Sequence, residues 1–253
     1  QMQVLRLACE QSILMLNGSA GTGKTSAMKA LVTMLNNEGH DCTILAPTGI
    51  AAKRISEVSG HGASTIHKFL ANPKSEVQEF LIIDEMSMVG VNLLGKLLLR
   101  VPSTAKIIFI CDEAQLASIS CGNIVQDIID SGIMPTVKLT KVFRYGKGGI
   151  ATVATDVRMG KPISANNNFN DYSFIETSYS PLNDIVSVYD GLRQKYNQED
   201  IMVLSPFNVR EAGTYAINKA IQDKYNENPT LISYKRQSTI IDFKVGDKIR
   251  IVN

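Results

Sequence analysis

Residues 16–31 read LNGSAGTGKTSAMKAL, and this order of residue types restricts the fold more than any other stretch of the chain. The apolar run ILML at 13–16 ends in Asn17 and Gly18. Gly18, Gly21 and Gly23 follow in close succession, and Ala27, Leu31 and Leu35 then recur on one helical face. Gly-x-x-x-x-Gly-Lys-Thr over 18–25, set between a strand and a helix, is the pattern of a loop that cradles phosphates. Its glycines let backbone N–H groups turn inward, and the following helix points its positive end at the same place. Gly18, Ser19, Ala20, Gly21, Thr22, Gly23, Lys24, Thr25 and Ser26 form the expected nucleotide cradle. Lys24 would bring a cation to the β- and γ-phosphates, and Thr25 a hydroxyl to Mg²⁺. A kinase, a signalling switch and a motor all use such a loop, so the residues at the ends of the later strands must discriminate between them.

Those strands alternate with helices. CTILAP (42–47), FLIIDE (80–85), KIIFICDEAQL (106–116) and TVKLT (136–140) read as buried strands, and 49–58, 91–99 and 123–130 as the helices between them. Continuous apolar strands separated by helices indicate an α/β fold with a parallel sheet covered on both faces. Each polar signature comes just after a strand, at the edge where open α/β sheets hold ligands. Beyond Lys141 the pattern loosens. Residues 150–160 read as a helix, 164–184 as a loop with a short strand, 201–207 (IMVLSPF) as a buried strand, 211–225 as a helix, and 238–253 as β-structure around a Val-Gly-Asp turn.

Size and composition set bounds. At 253 residues, 44% hydrophobic and 20% charged, the chain suits one large domain or two lobes. A net charge of +2 does not by itself point to nucleic acid, although a local basic track remains compatible with it. Cys9, Cys42, Cys111 and Cys121 lack metal-site or disulfide-framework spacing and read as buried free thiols in a reducing compartment. No apolar run is long enough to span a bilayer, and the first residues do not read as a secretory signal, so the expectation is a cytoplasmic protein without a membrane partner. The chain starts at Gln1 and stops within a strand-like alternation, which reads as part of a longer protein.

FLIIDE delivers two acids to the sheet edge. Behind a phosphate loop, Asp84 is expected to hold Mg²⁺, directly or through water, and Glu85 to orient and polarise an attacking water as general base. An acid placed to activate water argues for hydrolysis and against a small-molecule kinase.

APTGIAAKRI (46–55), ASTIHKFL (63–70), IIDEMSM (82–88), CDEAQLASI (111–119) and LTKVFR (139–144) come in fixed order, with weaker signatures VATDVRMGKPI, VLSPFNVREAGTYAINKAIQ and FKVGDKIRIVN behind them. Together they resemble superfamily 1 DNA helicases of the 5′-to-3′ branch, the RecD-like and phage Dda-like enzymes, over the whole chain. The resemblance implies two RecA-like lobes, 1–142 and a partial 143–253 ending at the start of a small β insertion. It also implies ATP with Mg²⁺ between the lobes, and single-stranded DNA or a single-strand/duplex junction across their tops. Replication, repair or recombination in a bacterial or phage-infected cell is the implied setting, with proteins of those processes as partners.

By the same resemblance, Pro47, Thr48, Gly49, Lys53, Thr65, His67, Ser205, Phe207 and Asn208 face DNA. PTGIAA combines a proline-shaped turn with a helix start at small residues, where backbone N–H groups can meet a phosphate. Lys53 and Arg54 either add charge there or form a solvated face. His67 bonds phosphate, stacks on a base or satisfies a carbonyl, and Phe207 stacks on a base or fills a core. Gln115 corresponds to the amide that senses the γ-phosphate, Arg144 to an arginine that reaches ATP from the lobe boundary, and Gln1 to an adenine-reading glutamine. Cys111 stands where the family usually has Gly, and Tyr145 where it often has Gln. The family's last two motifs, one supplying an arginine finger, are not in this sequence, so weak hydrolysis by this stretch alone is expected. The short ANPKSEVQ connection (71–78) makes strand separation less secure than translocation. The competing readings are a DNA- or RNA-stimulated ATPase that does not unwind, a helicase-like binding subunit, and an RNA helicase.

Overall fold

A computed structural model describes residues 2–143, 148–163, 169–177, 180–236 and 239–249. Gln1 and Arg144, both expected at the nucleotide, lie outside the described residues, as does Tyr145. The chain divides into two compact units, residues 1–173 and 174–253, whereas the expected lobe boundary is 142/143.

The first unit carries the sheet. Its elements run α1 (Met2–Glu10), β1 (Ile13–Gly18), α2 (Lys24–Asn37), β2 (Cys42–Ala46), α3 (Gly49–Ser59), β3 (Ala63–Thr65), α4 (Ile66–Ala71), β4 (Phe80–Ile83), α5 (Val91–Leu98), β5 (Lys106–Cys111), α6 (Ile124–Ser131), β6 (Thr136–Leu139) and α7 (Gly149–Arg158). The six strands lie in the order β3-β2-β4-β5-β1-β6, all parallel. Side chains alternate across the sheet. Leu14 and Leu16 of β1, Ile44, Ile82, Ile108 and Ile110 pack beneath Ala27, Leu31, Leu35 and Ile55 of α2 and α3. Met15, Leu45, Leu81, Ile83 and Phe109 face the other way, against Phe69, Leu94, Leu97, Val125 and Ile128 of α4, α5 and α6. Both faces are dry, so the strands are apolar throughout rather than alternating. Truncating one such fully buried leucine costs about 2–5 kcal/mol.

Strand order positions the site. From β1 the chain crosses to β2, on the far side of β4 and β5, while β6 closes on the other flank of β1. The carboxyl end of β1 is therefore a point where connections diverge, the place where an open parallel sheet leaves a crevice.

The second unit comprises α8 (Pro181–Arg193), α9 (Thr214–Tyr225) and an antiparallel hairpin of β7 (Thr230–Arg236) and β8 (Thr239–Lys244). Three features correct the sequence reading. Residues 181–184, expected in a loop, begin α8, because Pro181 at the first helical position needs no N–H partner and its fixed φ suits the helix. Residues 201–207, expected as a buried strand, join no ladder, and Met202 and Leu204 are exposed. Within this unit the described strands, β7 and β8, pair only with each other, and 201–207 stays outside their ladder. Of the alternating stretch expected as β-structure over 238–253, the described strand is 239–244 alone, residues 247–249 are outside any strand, and the partner is β7, which no sequence signature marks. The turn after β8 is held by Asp247, which accepts from the Lys244 N–H at 2.7 Å and from the Gln222 amide at 2.6 Å.

Candidate nucleotide and nucleic-acid site

The loop after β1 has the conformation its glycines foretell. Gly21 and Gly23 are left-handed, at φ 80° and 88°, which a side chain would strain. A Cβ on Gly18 would come 2.6 Å from Thr22 Oγ1 and 3.0 Å from Leu139 Cβ. Thr22 is buried and its hydroxyl donates to the Ser19 carbonyl at 2.7 Å, closing the loop on itself. Lys24, at the start of α2, donates to the Ser19 carbonyl at 3.1 Å and to that of Gly18, and stands 3.9 Å from Asp112 Oδ2. The Phe143 N–H donates to the Gly21 carbonyl at 2.7 Å, tying the segment that precedes Arg144 to the phosphate loop.

A nucleotide fits these residues: the cradle is formed, side chains are excluded from its tightest points, and a cation stands in it. Asp84 comes directly after β4, and burial pushes its carboxyl up to about 6, against the lowering influence of the Glu85 N–H, Lys24 and Arg54. A carboxylate held so far from water gains from a divalent cation. Among the described residues no cluster of three or more His, Cys, Asp or Glu side chains could hold a metal by itself. Mg²⁺ would rest on Thr25, Asp84 and the phosphates themselves. Glu85 takes a left-handed backbone, φ 52° and ψ 42°, and its N–H donates to Asp84 Oδ1 at 2.9 Å. A non-glycine residue pays strain of order 1–3 kcal/mol for this, typical of side chains aimed by a functional site. Two residues on, the buried Ser87 hydroxyl has no partner among the described residues.

Beside the cradle lies a charge cluster to which the sequence motifs assign no role. Asp112, at the end of β5, is 2% exposed. Its Oδ1 accepts from Arg158 Nη2 of α7 at 2.7 Å and from the Ala114 N–H at 3.2 Å. Glu113 pairs with Lys138 and with buried Asn17, and those partners hold its carboxyl below the usual range. Position alone offers a signal: Asp112 directly follows β5 as Asp84 directly follows β4. Gln115, two residues past Glu113, is exposed at this edge.

The residues expected to face DNA divide into two groups. In the first unit, Thr48 and Thr65 are N-caps, accepting from the Ala51 N–H at 3.2 Å and the Lys68 N–H at 3.1 Å. Those bonds orient the hydroxyls and leave each O–H able to donate. Pro47, Thr48 and Gly49 come after β2, and Thr65 and His67 lie at and beyond the end of its neighbour β3, so the two turns lie side by side at the edge that carries the phosphate loop. Gly49, Lys53, Arg54 and His67 are exposed or nearly so at this edge. Lys53 stands 3.9 Å from Glu57 one helical turn on. In the second unit, Ser205 donates to the Ala212 carbonyl at 2.6 Å and Thr214 to Asn208 Oδ1 at 3.2 Å, folding 205–214 into a compact turn. Phe207 is half exposed, with the Arg210 guanidinium 4.9 Å above its ring.

A family model described as an AAA domain matches residues 1–180. Among curated proteins, the chain is similar to the ATP-dependent RecD2 DNA helicase of Deinococcus radiodurans, 33% identical over 153 residues, 57% of this chain and 21% of that protein. It is also similar to the ATP-dependent DNA helicase dda of Enterobacteria phage T4, 36% identical over 166 residues, 58% of this chain and 38% of that one. The chain thus spans well under half the length of either. Among solved structures, the crystal structure of Pif1 helicase from Candida albicans aligns with a TM-score of 0.51 at 17% identity, covering 97% of this chain and 62% of that one; the likeness is one of fold.

Proposed function

The chain belongs to the AAA-domain family and has RecD-like and Dda-like DNA helicases as relatives, and from that premise we propose that it binds Mg-ATP and takes part in ATP-driven 5′-to-3′ movement along single-stranded DNA. One observation supports this above the others. The phosphate loop, the acidic pair, the Gln115 loop and the turns after β2 and β3 all leave one parallel sheet at one edge. Rigid neighbouring strands can thus couple what happens at the phosphates to what happens on a bound strand.

The residues divide the work. Lys24 meets phosphate charge, Thr25 and Asp84 would hold Mg²⁺, and that ion when bound neutralises charge on the phosphate oxygens. Glu85 orients a water and takes its proton. Gln115, able to donate and accept, registers the terminal phosphate. Thr48, Gly49, Thr65 and His67 hold a DNA backbone, with Lys53 and Arg54 supplying charge. Ser205, Phe207 and Asn208 form a second grip, and Arg144 and Gln1 complete the nucleotide site. Single-strand/duplex junctions are the substrate, and replication, repair or recombination the setting.

The test is ATP hydrolysis by the chain with and without single-stranded DNA, then unwinding of duplexes with 5′ or 3′ overhangs. Stimulation by DNA and a preference for 5′ overhangs are expected. Unwinding confined to 3′ overhangs overturns the polarity, and nucleotide binding indifferent to DNA overturns the coupling.

A further inference from the structure

Asp112 is a buried carboxylate approached by two cations from distant parts of the first unit. Lys24 stands 3.9 Å from one oxygen and Arg158 donates to the other at 2.7 Å. A carboxylate this deep requires compensation. Facing Lys24 alone, it would hold the phosphate-loop ammonium against itself and compete with any phosphate. Arg158 meets that charge at its other oxygen with a guanidinium. The helix presenting it is fixed at its other end, where the Gly149 N–H donates to Asp171 Oδ1 at 2.7 Å, and by buried Val153. Arg158 is therefore held in place independently of the nucleotide cradle.

We propose that Arg158 is a positioning residue for nucleotide binding: by neutralising Asp112 it frees Lys24 for the phosphates. The assignment rests on the nucleotide-site reading and adds to it a residue from α7 that acts through Asp112. No bond is made or broken. The effect is a competition between Asp112 and phosphate for one ammonium.

The test compares three variants, Arg158→Gln, Arg158→Lys and the double variant Arg158→Gln/Asp112→Asn. Each is titrated with a fluorescent ADP analogue and melted in parallel. Arg158→Gln is expected to weaken binding on the order of tenfold, since an unopposed charge at this separation is worth more than that wherever water is partly excluded. Arg158→Lys, which keeps the charge, should retain most of the affinity. The double variant should recover it, because removing Asp112's charge removes the competitor. A merely structural role predicts instead that the double variant binds no better than Arg158→Gln, and that result overturns the proposal, as does wild-type affinity in Arg158→Gln. If Arg158→Gln does not fold, the double variant decides by itself, near-wild-type affinity supporting the proposal and lost affinity sinking it. Failure of the unaltered chain to bind the analogue overturns the nucleotide-site reading itself, and this assignment with it.

Discussion

Asn17 and Glu113 are bonded to each other reciprocally across two adjacent strands: the Asn17 amide donates to Glu113 Oε2 at 2.9 Å, and the Glu113 N–H donates to Asn17 Oδ1 at 3.2 Å. Asn17 stands at the entrance to the phosphate loop, and Glu113 opens the loop that carries Gln115. The pair fixes the start of one loop to the start of the other. Because Asn17 is 2% exposed, neither of its bonds is readily replaced by water. Asn17→Ala should destabilise the chain by about 2 kcal/mol, which thermal denaturation would register as a fall in Tm of roughly 4–8 °C. An unchanged Tm would mean that the two loops are joined by other contacts.

Glu113 also predicts a pH dependence. Lys138, first among its partners, and Asn17 hold its folded pKa below the ordinary 4.5. A carboxyl depressed by folding contributes stability that is present above the unfolded pKa and is lost as pH falls through the folded one. The stability gap between the wild type and Glu113→Gln should be constant above about pH 5 and narrow as pH falls below about 4.5. Denaturant melts at pH 7, 5 and 3.5 would measure it, and a gap that widens toward low pH contradicts the assigned partners.

Lys24→Ala should weaken Mg-ATP binding on the order of a hundredfold, because it takes away the cation facing the phosphates. Isothermal titration reads this directly. Retained affinity would remove Lys24 from the phosphate-binding role.

Glu85→Gln should leave nucleotide affinity within about threefold and lower DNA-stimulated turnover by about 10²–10⁴. Its neutral amide keeps the volume at the left-handed turn but cannot take a proton. Single-turnover hydrolysis separates binding from chemistry, and normal hydrolysis would exclude Glu85 as the base.

The thiols should divide by environment. Burial pushes Cys111 up to about 12 and, with Asp41 and Glu79 adding to it, Cys42 up to about 11, whereas Cys9 and Cys121, expected from the sequence to be buried, are exposed. In the native protein at pH 8, iodoacetamide should modify Cys9 and Cys121 and spare the other two, as peptide mass mapping would show. Early labelling of Cys111 would indicate that the end of β5 opens.

The legibility of each part depends on where its determinants lie. The phosphate loop, α2 and strands β1, β2, β4, β5 and β6 can be read directly, since apolar period, glycine spacing and a helix face are written within a few consecutive residues. Strand β3, three residues long, and helix α4, six residues long, carry too little periodicity to be distinguished. The segment 201–207 fails for the opposite reason: its composition says strand, but a strand needs a neighbour, and no sequence window reports whether one is there. Asp112 and Arg158 sit inside the motifs CDEAQLASI and VATDVRMGKPI without a legible role, because their meaning arises only when they meet.

The sequence by itself determined that a strand–loop–helix phosphate cradle forms, that acids come after an apolar strand, and that the sheet is parallel and covered on both faces. Those properties depend on backbone freedom at glycines and on apolar periodicity, both local. Only the tertiary structure decided the strand order that gathers the loops at one edge, the Asn17–Glu113 lock between residues 96 positions apart, and the Arg158–Asp112 pair spanning 46. Such contacts depend on distances that chain folding sets, and the energy of a buried charge depends on who stands beside it rather than on what precedes it in the chain.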